Sequence, residues 1–136
     1  MVTINFIGDI SLFKVYEELN IDPFSEIFLP KSDYNIGNFE FIIPNNRKKQ
    51  FFDVPDQYSV SFPYFTKLRI DRFNAYGLAN NHCFDYGVDG LNDVIKAFKD
   101  RHISSFGVGK KMFNPLLFTI NNIFCYYCLC EKRKME

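Results

Sequence analysis

The segment 73–98 constrains the fold most, because its pattern changes from strand-like to helix-like across one polar loop. Residues 73–78 are apolar and aromatic, which is typical of a buried strand. After the loop, apolar residues recur at the spacing of one helix face, at Val88, Leu91, Val94, Ile95 and Phe98. The loop itself carries Asn80, Asn81, His82 and Asp85. The pattern predicts an α/β unit, and ligands of open α/β sheets bind where the strands end.

These loop residues admit two interpretations. Asparagine oxygens and an imidazole nitrogen are groups that bind a metal ion or a phosphate, so the loop is a candidate site. Alternatively, Asn81 and Asp85 are turn residues, and His82 is a loop histidine with a hydrogen-bonded ring. The ten residues 78–87 alone leave both interpretations open.

The composition favours one globular domain over residues 1–136 and indicates no charged macromolecular partner. The chain has 136 residues, of which 47% are apolar, enough to bury a core. Its 16 basic and 16 acidic residues cancel, so we expect no nucleic-acid partner and no electrostatic attraction to membranes. No apolar run approaches ~20 residues, and the N-terminus lacks the features of a signal peptide. We therefore expect no membrane span and a cytoplasmic location.

The cysteines do not form a pattern typical of a disulfide framework. They are Cys83, Cys125, Cys128 and Cys130. The last three have the spacing of a zinc clip, but they lack a second pair of ligands and lie in an aromatic, strand-like run. Buried thiols in a reducing compartment are the favoured interpretation.

Periodicity predicts alternating strands and helices along the rest of the chain. Strands are predicted at 2–7, 34–41, 73–78 and 104–108, and helices at 12–19, at 62–69 and from the polar loop to about residue 101. Segments 116–120 and 123–129 are predicted to pair as a hairpin through Asn121-Asn122. A loop with a short turn is predicted at 20–31, a surface loop at 44–55, and a polar tail at 132–136. This alternation predicts a layered α/β fold.

Polar side chains follow three successive predicted strands. Asp9 follows the first strand, Asn38 and Glu40 lie at the end of the second, and the loop with Asn80 and His82 follows the third. Carboxylates neutralise the charge of a metal ion, asparagine adds a neutral oxygen, and histidine binds the ion or moves a proton. The sequence therefore predicts a site at one edge of the sheet.

Three motifs in this order resemble the CapA-type proteins of poly-γ-glutamate capsule biosynthesis. Gly-Asp-Ile-Ser-Leu at 8–12 is similar to the opening Gly-Asp motif of that family, and Asn-Phe-Glu at 38–40 to its Asn-Leu-Glu motif. Leu-Ala-Asn-Asn-His-Cys-Phe-Asp-Tyr-Gly at 78–87 resembles its Leu-Ala-Asn-Asn-His-x-x-Asp-Tyr-Gly signature. The third motif is the most specific, and the shared order and spacing strengthen the resemblance.

The resemblance implies the metallophosphatase superfamily, which includes calcineurin-like phosphatases and 5′-nucleotidases. It implies a layered αββα sandwich with two divalent metal ions, Mn, Fe, Zn or Mg, at the strand ends. Metal ligands would be Asp9, Glu40 and Asn81. His82 would be the catalytic proton donor or charge stabiliser. Asn38, Asn80 and Asp85 would contact the substrate or orient these groups.

The sequence also departs from the superfamily pattern. The Asp-x-His motif usual at the first strand is absent, since Ile10 and Ser11 follow Asp9. The resemblance runs from about residue 3 to residue 129, whereas family members are much longer, and the other histidine is His102. We therefore expect an incomplete, N-terminal half of the sandwich, with weak or absent metal retention and no activity of the chain alone.

Two classes of function follow from this resemblance. The first is a component of poly-γ-glutamate or capsule synthesis with a metallophosphatase-type site, with a C-terminal partner half or membrane-bound synthesis components as its partners. The second is a non-catalytic remnant, or a subunit of a split protein. A 5′-nucleotidase-like phosphoesterase is a weaker alternative, because the Asp-x-His motif is missing.

Overall fold

A computed structural model describes residues 1–43, 59–108, 116–120 and 123–127. Its centre is a parallel four-stranded sheet with strand order β1-β2-β3-β4. The strands are β1 (Ile4–Ile10), β2 (Tyr34–Phe39), β3 (Ala75–Gly77) and β4 (Ser104–Phe106). Helices connect successive strands, which confirms the α/β class. The architecture is consistent with an incomplete metallophosphatase-type sandwich.

The helices are α1 (Lys14–Glu18), α2 (Pro23–Glu26), α3 (Phe62–Phe65) and α4 (Gly87–Asp100), with a 3-10 turn at Ile70–Arg72. The two shortest helices begin with a capping side chain and a proline. Asp22 accepts a hydrogen bond from the Phe24 amide at 3.0 Å, and Ser61 accepts one from the Tyr64 amide at 3.3 Å. Gly87 begins α4 with φ of 70°, a left-handed conformation that glycine adopts without steric cost.

Helix α4 packs on one face of the sheet through an aromatic cluster. The Phe98 ring stacks on Tyr76 at 5.1 Å between centroids and meets Phe39 edge-on at 4.7 Å. All three side chains are buried. The opposite face carries a smaller cluster built on Ile36 and Phe106. The sheet is thus buried on both faces near its centre, as is typical of parallel sheets.

Several element boundaries differ from the sequence predictions. Strand β1 continues through Gly8 and Asp9 to Ile10, so the predicted strand end before Gly8 is wrong. The neighbouring strand explains this, because Asp9 and Ile10 still pair with β2 after an irregularity that follows Ile7. The helix predicted at 12–19 forms over five residues, and the helix predicted at 62–69 ends at Phe65. The short turn predicted within 20–31 is the four-residue helix α2.

The predicted hairpin is confirmed as an antiparallel pair, β5 (Leu116–Ile120) and β6 (Ile123–Tyr127). Strand β5 contacts β4. The predicted loop at 44–55, the polar tail and the proposed thiol environments of Cys125, Cys128 and Cys130 lie outside what the structure describes. In the described residues no helix is long and apolar enough to cross a membrane.

Candidate functional site

The predicted polar edge exists, because parallel pairing brings the ends of three strands together. Asp9 of β1 is the register partner of Asn38 in β2, and Asn38 is the partner of Gly77 in β3. The chain leaves β3 directly into the polar loop 78–86. Three motifs that are far apart in sequence therefore meet at the carboxyl ends of adjacent strands, where ligands of α/β sheets bind.

The first two strands are joined at this edge by a side-chain hydrogen bond. The amide nitrogen Nδ2 of Asn38 donates to Oδ1 of Asp9 at 2.7 Å. Asp9 is exposed to solvent, whereas Asn38 is half-buried. Because one carboxylate oxygen is held by the amide, the orientation of Asp9 is set by the neighbouring strand.

Asn80 links the loop after β3 to the end of β2. Its Nδ2 donates to the Phe39 carbonyl at 2.6 Å, and a longer contact of 3.4 Å joins it to Oδ1 of Asn38. Its Oδ1 accepts from the backbone amide of His82 at 3.0 Å. The residue is only 9% exposed. A buried amide with both ends paired is held in one orientation.

The imidazole of His82 is paired with the carboxylate of Asp85. Nδ1 of His82 lies 2.8 Å from Oδ2 of Asp85, and the two side chains are 13% and 6% exposed. Because an ionised carboxylate only accepts hydrogen bonds, this pairing places a proton on Nδ1 of the ring. The Asp85 amide also donates to the His82 carbonyl at 3.1 Å, so a backbone turn supports the pair.

The remaining predicted metal ligands flank this row. Glu40 follows β2 and is half-buried, and its backbone amide donates to the Ile10 carbonyl at 3.0 Å, which extends the β1–β2 pairing. Asn81 is exposed at the start of the turn that carries His82. The hydrogen-bonded row itself consists of Asp9, Asn38, Asn80, His82 and Asp85.

A metal ion requires several ligands at one point. Across the described ranges, no group of three or more His, Cys, Asp or Glu side chains is placed to hold an ion. These residues by themselves therefore do not fit a complete metal centre, and the predicted metal site stays a prediction.

A cavity of about 420 Å³ adjoins the row and was not predicted from the sequence. Its polar side is formed by Asp9 and Asn38, and its apolar side by Phe6 and Ile36. Gly8 also lines the cavity, and the space beside it is open, because a Cβ at this position would meet no atom within 4 Å. The cavity lies across the β1–β2 pair, because Phe6 and Asp9 belong to β1 and Ile36 and Asn38 belong to β2.

The three motifs lie within the part of the chain that is similar to a known protein family. The family described as bacterial capsule synthesis protein PGA_cap matches residues 3–125. The chain is 30% identical over 122 residues to the "Capsule biosynthesis protein CapA" of Bacillus anthracis, covering 80% of the chain and 29% of that protein. It is 26% identical over 116 residues to the "PGA biosynthesis protein CapA" of Bacillus subtilis (strain 168), covering 80% and 30%.

An uncharacterised protein of Sinorhizobium fredii is 31% identical over 112 residues, covering 76% of the chain and 24% of that protein. The chain thus spans about a third or less of the length of these relatives. The match contains all three motifs and both carboxylates of the hydrogen-bonded row. The chain therefore belongs to the bacterial capsule synthesis protein family, the family of the CapA proteins.

Proposed function

We propose that the chain acts in the synthesis of a capsule polymer, poly-γ-glutamate in particular, as a CapA-type component. The observation that carries this proposal is the ordered row of Asp9, Asn38, Asn80, His82 and Asp85 at one edge of the sheet. The names of the two Bacillus relatives support the biological process. In this proposal residues 1–136 form one domain that corresponds to the N-terminal part of those proteins.

The row supplies two kinds of chemistry. Asp85 holds the His82 ring with its proton on Nδ1, so Nε2 is suited to exchange a proton with a reacting oxygen as general acid or base. Asp9 presents a carboxylate whose orientation is set by Asn38. A phosphate or carboxyl-phosphate group is the substrate class implied by the resemblance.

The charge of the row limits how such a substrate is bound. Both acidic side chains repel a phosphate, and the row contains no lysine or arginine. We therefore propose that groups outside the described residues neutralise the substrate and complete any metal site. Candidate sources are a C-terminal partner segment and membrane-bound components of capsule synthesis. A cytoplasmic location of this chain belongs to the same proposal.

The metal part of the proposal has its own test. We expect the purified chain to retain little Mn, Fe or Zn after dialysis, because the described residues do not form a complete ligand set. We also expect no appreciable hydrolysis of a generic phosphoester with Mn²⁺ present. Elemental analysis that finds two tightly held ions per chain, or turnover that is lost in Asp9→Asn, would contradict this expectation.

A non-catalytic role as a subunit is the second candidate function. The observation that favours it is that, among the described residues, no group of three or more His, Cys, Asp or Glu side chains is placed to hold an ion. In that case the row maintains the fold and the capsule machinery requires the chain as a binding partner.

One genetic experiment tests the process and separates the two roles. The gene is deleted in its own host and restored as wild type, as Asp9→Asn, as His82→Ala or as the control His102→Ala, and capsule polymer is measured after hydrolysis. A catalytic role predicts that polymer is lost with Asp9→Asn and with His82→Ala, and is restored by wild type and by His102→Ala. Loss on deletion with full rescue by all variants indicates the subunit role. Polymer that is unchanged by deletion contradicts the proposed process.

A further inference from the structure

We propose that Asn80 is the positioning residue of this site, and that its amide fixes His82 against the end of the neighbouring strand β2. Only the catalytic consequence of this inference rests on the proposed function, because a fixed His82 ring affects a reaction only if that ring transfers a proton. Its structural content concerns this chain alone and is measurable without a substrate.

The geometry of Asn80 separates two tasks. Its Oδ1 accepts from the His82 amide at 3.0 Å, which orders the first turn of the loop. Its Nδ2 donates to the Phe39 carbonyl at 2.6 Å, which ties that turn to a different strand. The second bond joins two uncharged groups and is buried, so water competes with it poorly.

The loop has other supports on both sides of His82, and before it the Leu78 amide donates to the Phe106 carbonyl of β4 at 2.9 Å. Cys83 packs against the main apolar core, and Asp85 is buried beside the start of α4. These contacts place the far side of the turn. Leu78 ties the side that precedes His82 to β4, whereas the side-chain amide of Asn80 ties that side to the end of β2.

The contact between Asn80 and Asn38 is not part of this device. At 3.4 Å it is longer than an ordinary N–H···O bond, whereas the bond from Asn38 to Asp9 is 2.7 Å. The shorter bonds of the row therefore fall into two groups, Asp9 with Asn38 and His82 with Asn80, and the 3.4 Å bond is the weaker link between the groups. This division predicts that removing the Asn38 amide leaves the position of His82 unchanged.

The experiment uses ¹⁵N-labelled chain, in which His82 and His102 are the two histidines. Hydrogen exchange of the His82 amide and the ¹⁵N signals of both rings are recorded in wild type, Asn80→Ala, Asn80→Ser and Asn38→Ala. Asn92→Ala is the matched control, because Asn92 is exposed on α4. Exposed His102 gives the reference signal of an unconstrained ring.

In wild type we expect a His82 ring that is protonated at Nδ1 and distinct from His102. In Asn80→Ala the His82 amide should exchange about tenfold faster, as expected for loss of one hydrogen bond, and the ring signal should move towards that of His102. Asn38→Ala and Asn92→Ala should change neither. In Asn80→Ser the hydroxyl keeps the local turn but does not reach Phe39, so the amide stays protected while the ring signal moves.

Three results overturn the proposal. The first is an unchanged His82 ring in folded Asn80→Ala, and the second is an equal acceleration of core amides such as that of Phe98, which indicates a general loss of stability. The third is a wild-type His82 signal equal to that of His102. If Asn80→Ala does not fold, Asn80→Ser decides, because an unmoved ring there excludes the link to β2. None of these results depends on capsule synthesis, so failure here is distinct from failure of the proposed function.

Discussion

The two ends of the parallel sheet both carry a row of asparagines, but the rows are paired with different groups. At the end where the strands begin, Asn5 donates to the Pro30 carbonyl at 2.8 Å and to Oδ1 of Asn35 at 2.9 Å. The Ser32 hydroxyl donates to the same oxygen, and the backbone amide of Asn35 donates to Oδ1 of Asn74 at 2.7 Å. The side chains of this row are neutral, and their partners are amides, a hydroxyl and loop carbonyls.

At the end where the strands finish, the asparagines hold ionisable groups. Asn38 binds the Asp9 carboxylate, and Asn80 binds the backbone of His82, whose ring is paired with Asp85. Asp9 is exposed, and the 420 Å³ cavity lies beside it. The same residue type therefore closes the fold at one end and orients reactive side chains at the other.

The difference shows that an asparagine has a functional meaning only through its partner. Neutral amides paired with loop carbonyls stabilise a connection and leave nothing for a ligand to use. Amides that are hydrogen-bonded to a carboxylate, or to the backbone next to an imidazole, fix the orientation of that ionisable side chain. Substitutions at the two ends should therefore separate stability from function.

Truncation of the aromatic core that supports both ends of the sheet should have the largest effect on stability. It should destabilise both ends together. Phe98 is fully buried against Phe39, Phe65 and Tyr76, so Phe98→Ala should lower the free energy of unfolding by about 3–5 kcal/mol. Urea denaturation measures this loss, with Val88→Ala on the exposed side of α4 as the control. A loss below about 1 kcal/mol would mean that the aromatic cluster is not the core of both ends.

The next effect should be confined to the end where the strands begin. Asn35→Ala removes the acceptor of Asn5 and Ser32, so the free energy of unfolding should fall by about 1–3 kcal/mol. The ring signal of His82 should stay unchanged. Asn92→Ala is the matched control and should be nearly neutral. A shifted His82 signal in Asn35→Ala would show that the two ends are coupled through the sheet.

At the other end, a charge change should cost little stability. Asp9 is exposed and asparagine keeps the Oδ1 acceptor for Asn38, so Asp9→Asn should change the free energy of unfolding by less than about 1 kcal/mol. If the row is catalytic, the same substitution should abolish capsule polymer in the restored host. Asp33→Asn is the control, because Asp33 is exposed and binds the Thr3 amide at the opposite end. Equal polymer in both variants would remove the functional distinction between the ends.

The smallest effect concerns alkaline pH and belongs to neither row. Burial, together with the charges of Asp22 and Glu17, raises the pKa of Tyr64 to about 12, and its hydroxyl donates to the Ile21 carbonyl. The unfolded chain loses this proton near pH 10, so the contribution of Tyr64 is complete below pH 10 and is lost as pH rises towards 12. Urea denaturation at pH 9 and 11 should show a smaller decline in Tyr64→Phe than in wild type. An equal decline in both would contradict this assignment.

Some features of the molecule were accessible from local patterns. The change of period around residue 78 predicted β3 and α4, and the Asn-Asn pair predicted the hairpin, because both signals arise within a few residues. The edge location of Asp9, Asn38 and His82 also followed, since consecutive parallel strands end on the same side. The metal roles of Asp9, Glu40 and Asn81 stay predictions.

Other features depended on contacts between distant segments. The end of β1 was misplaced because Gly8-Asp9 has the local character of a turn, and only pairing with β2 keeps it extended. The apolar wall of the cavity combines Phe6 with Ile36, which lie on different strands.

The sequence by itself determined the α/β class, the order of the elements and the residue types available at one edge of the sheet. These follow from periodicity and turn chemistry, which are properties of short segments. The tertiary structure alone decided the partners of those residues, such as the Phe39 carbonyl for Asn80 and Oδ1 of Asp9 for Asn38. Hydrogen-bond partners depend on strand order and register, and these are set by how the whole core packs, which no single segment encodes.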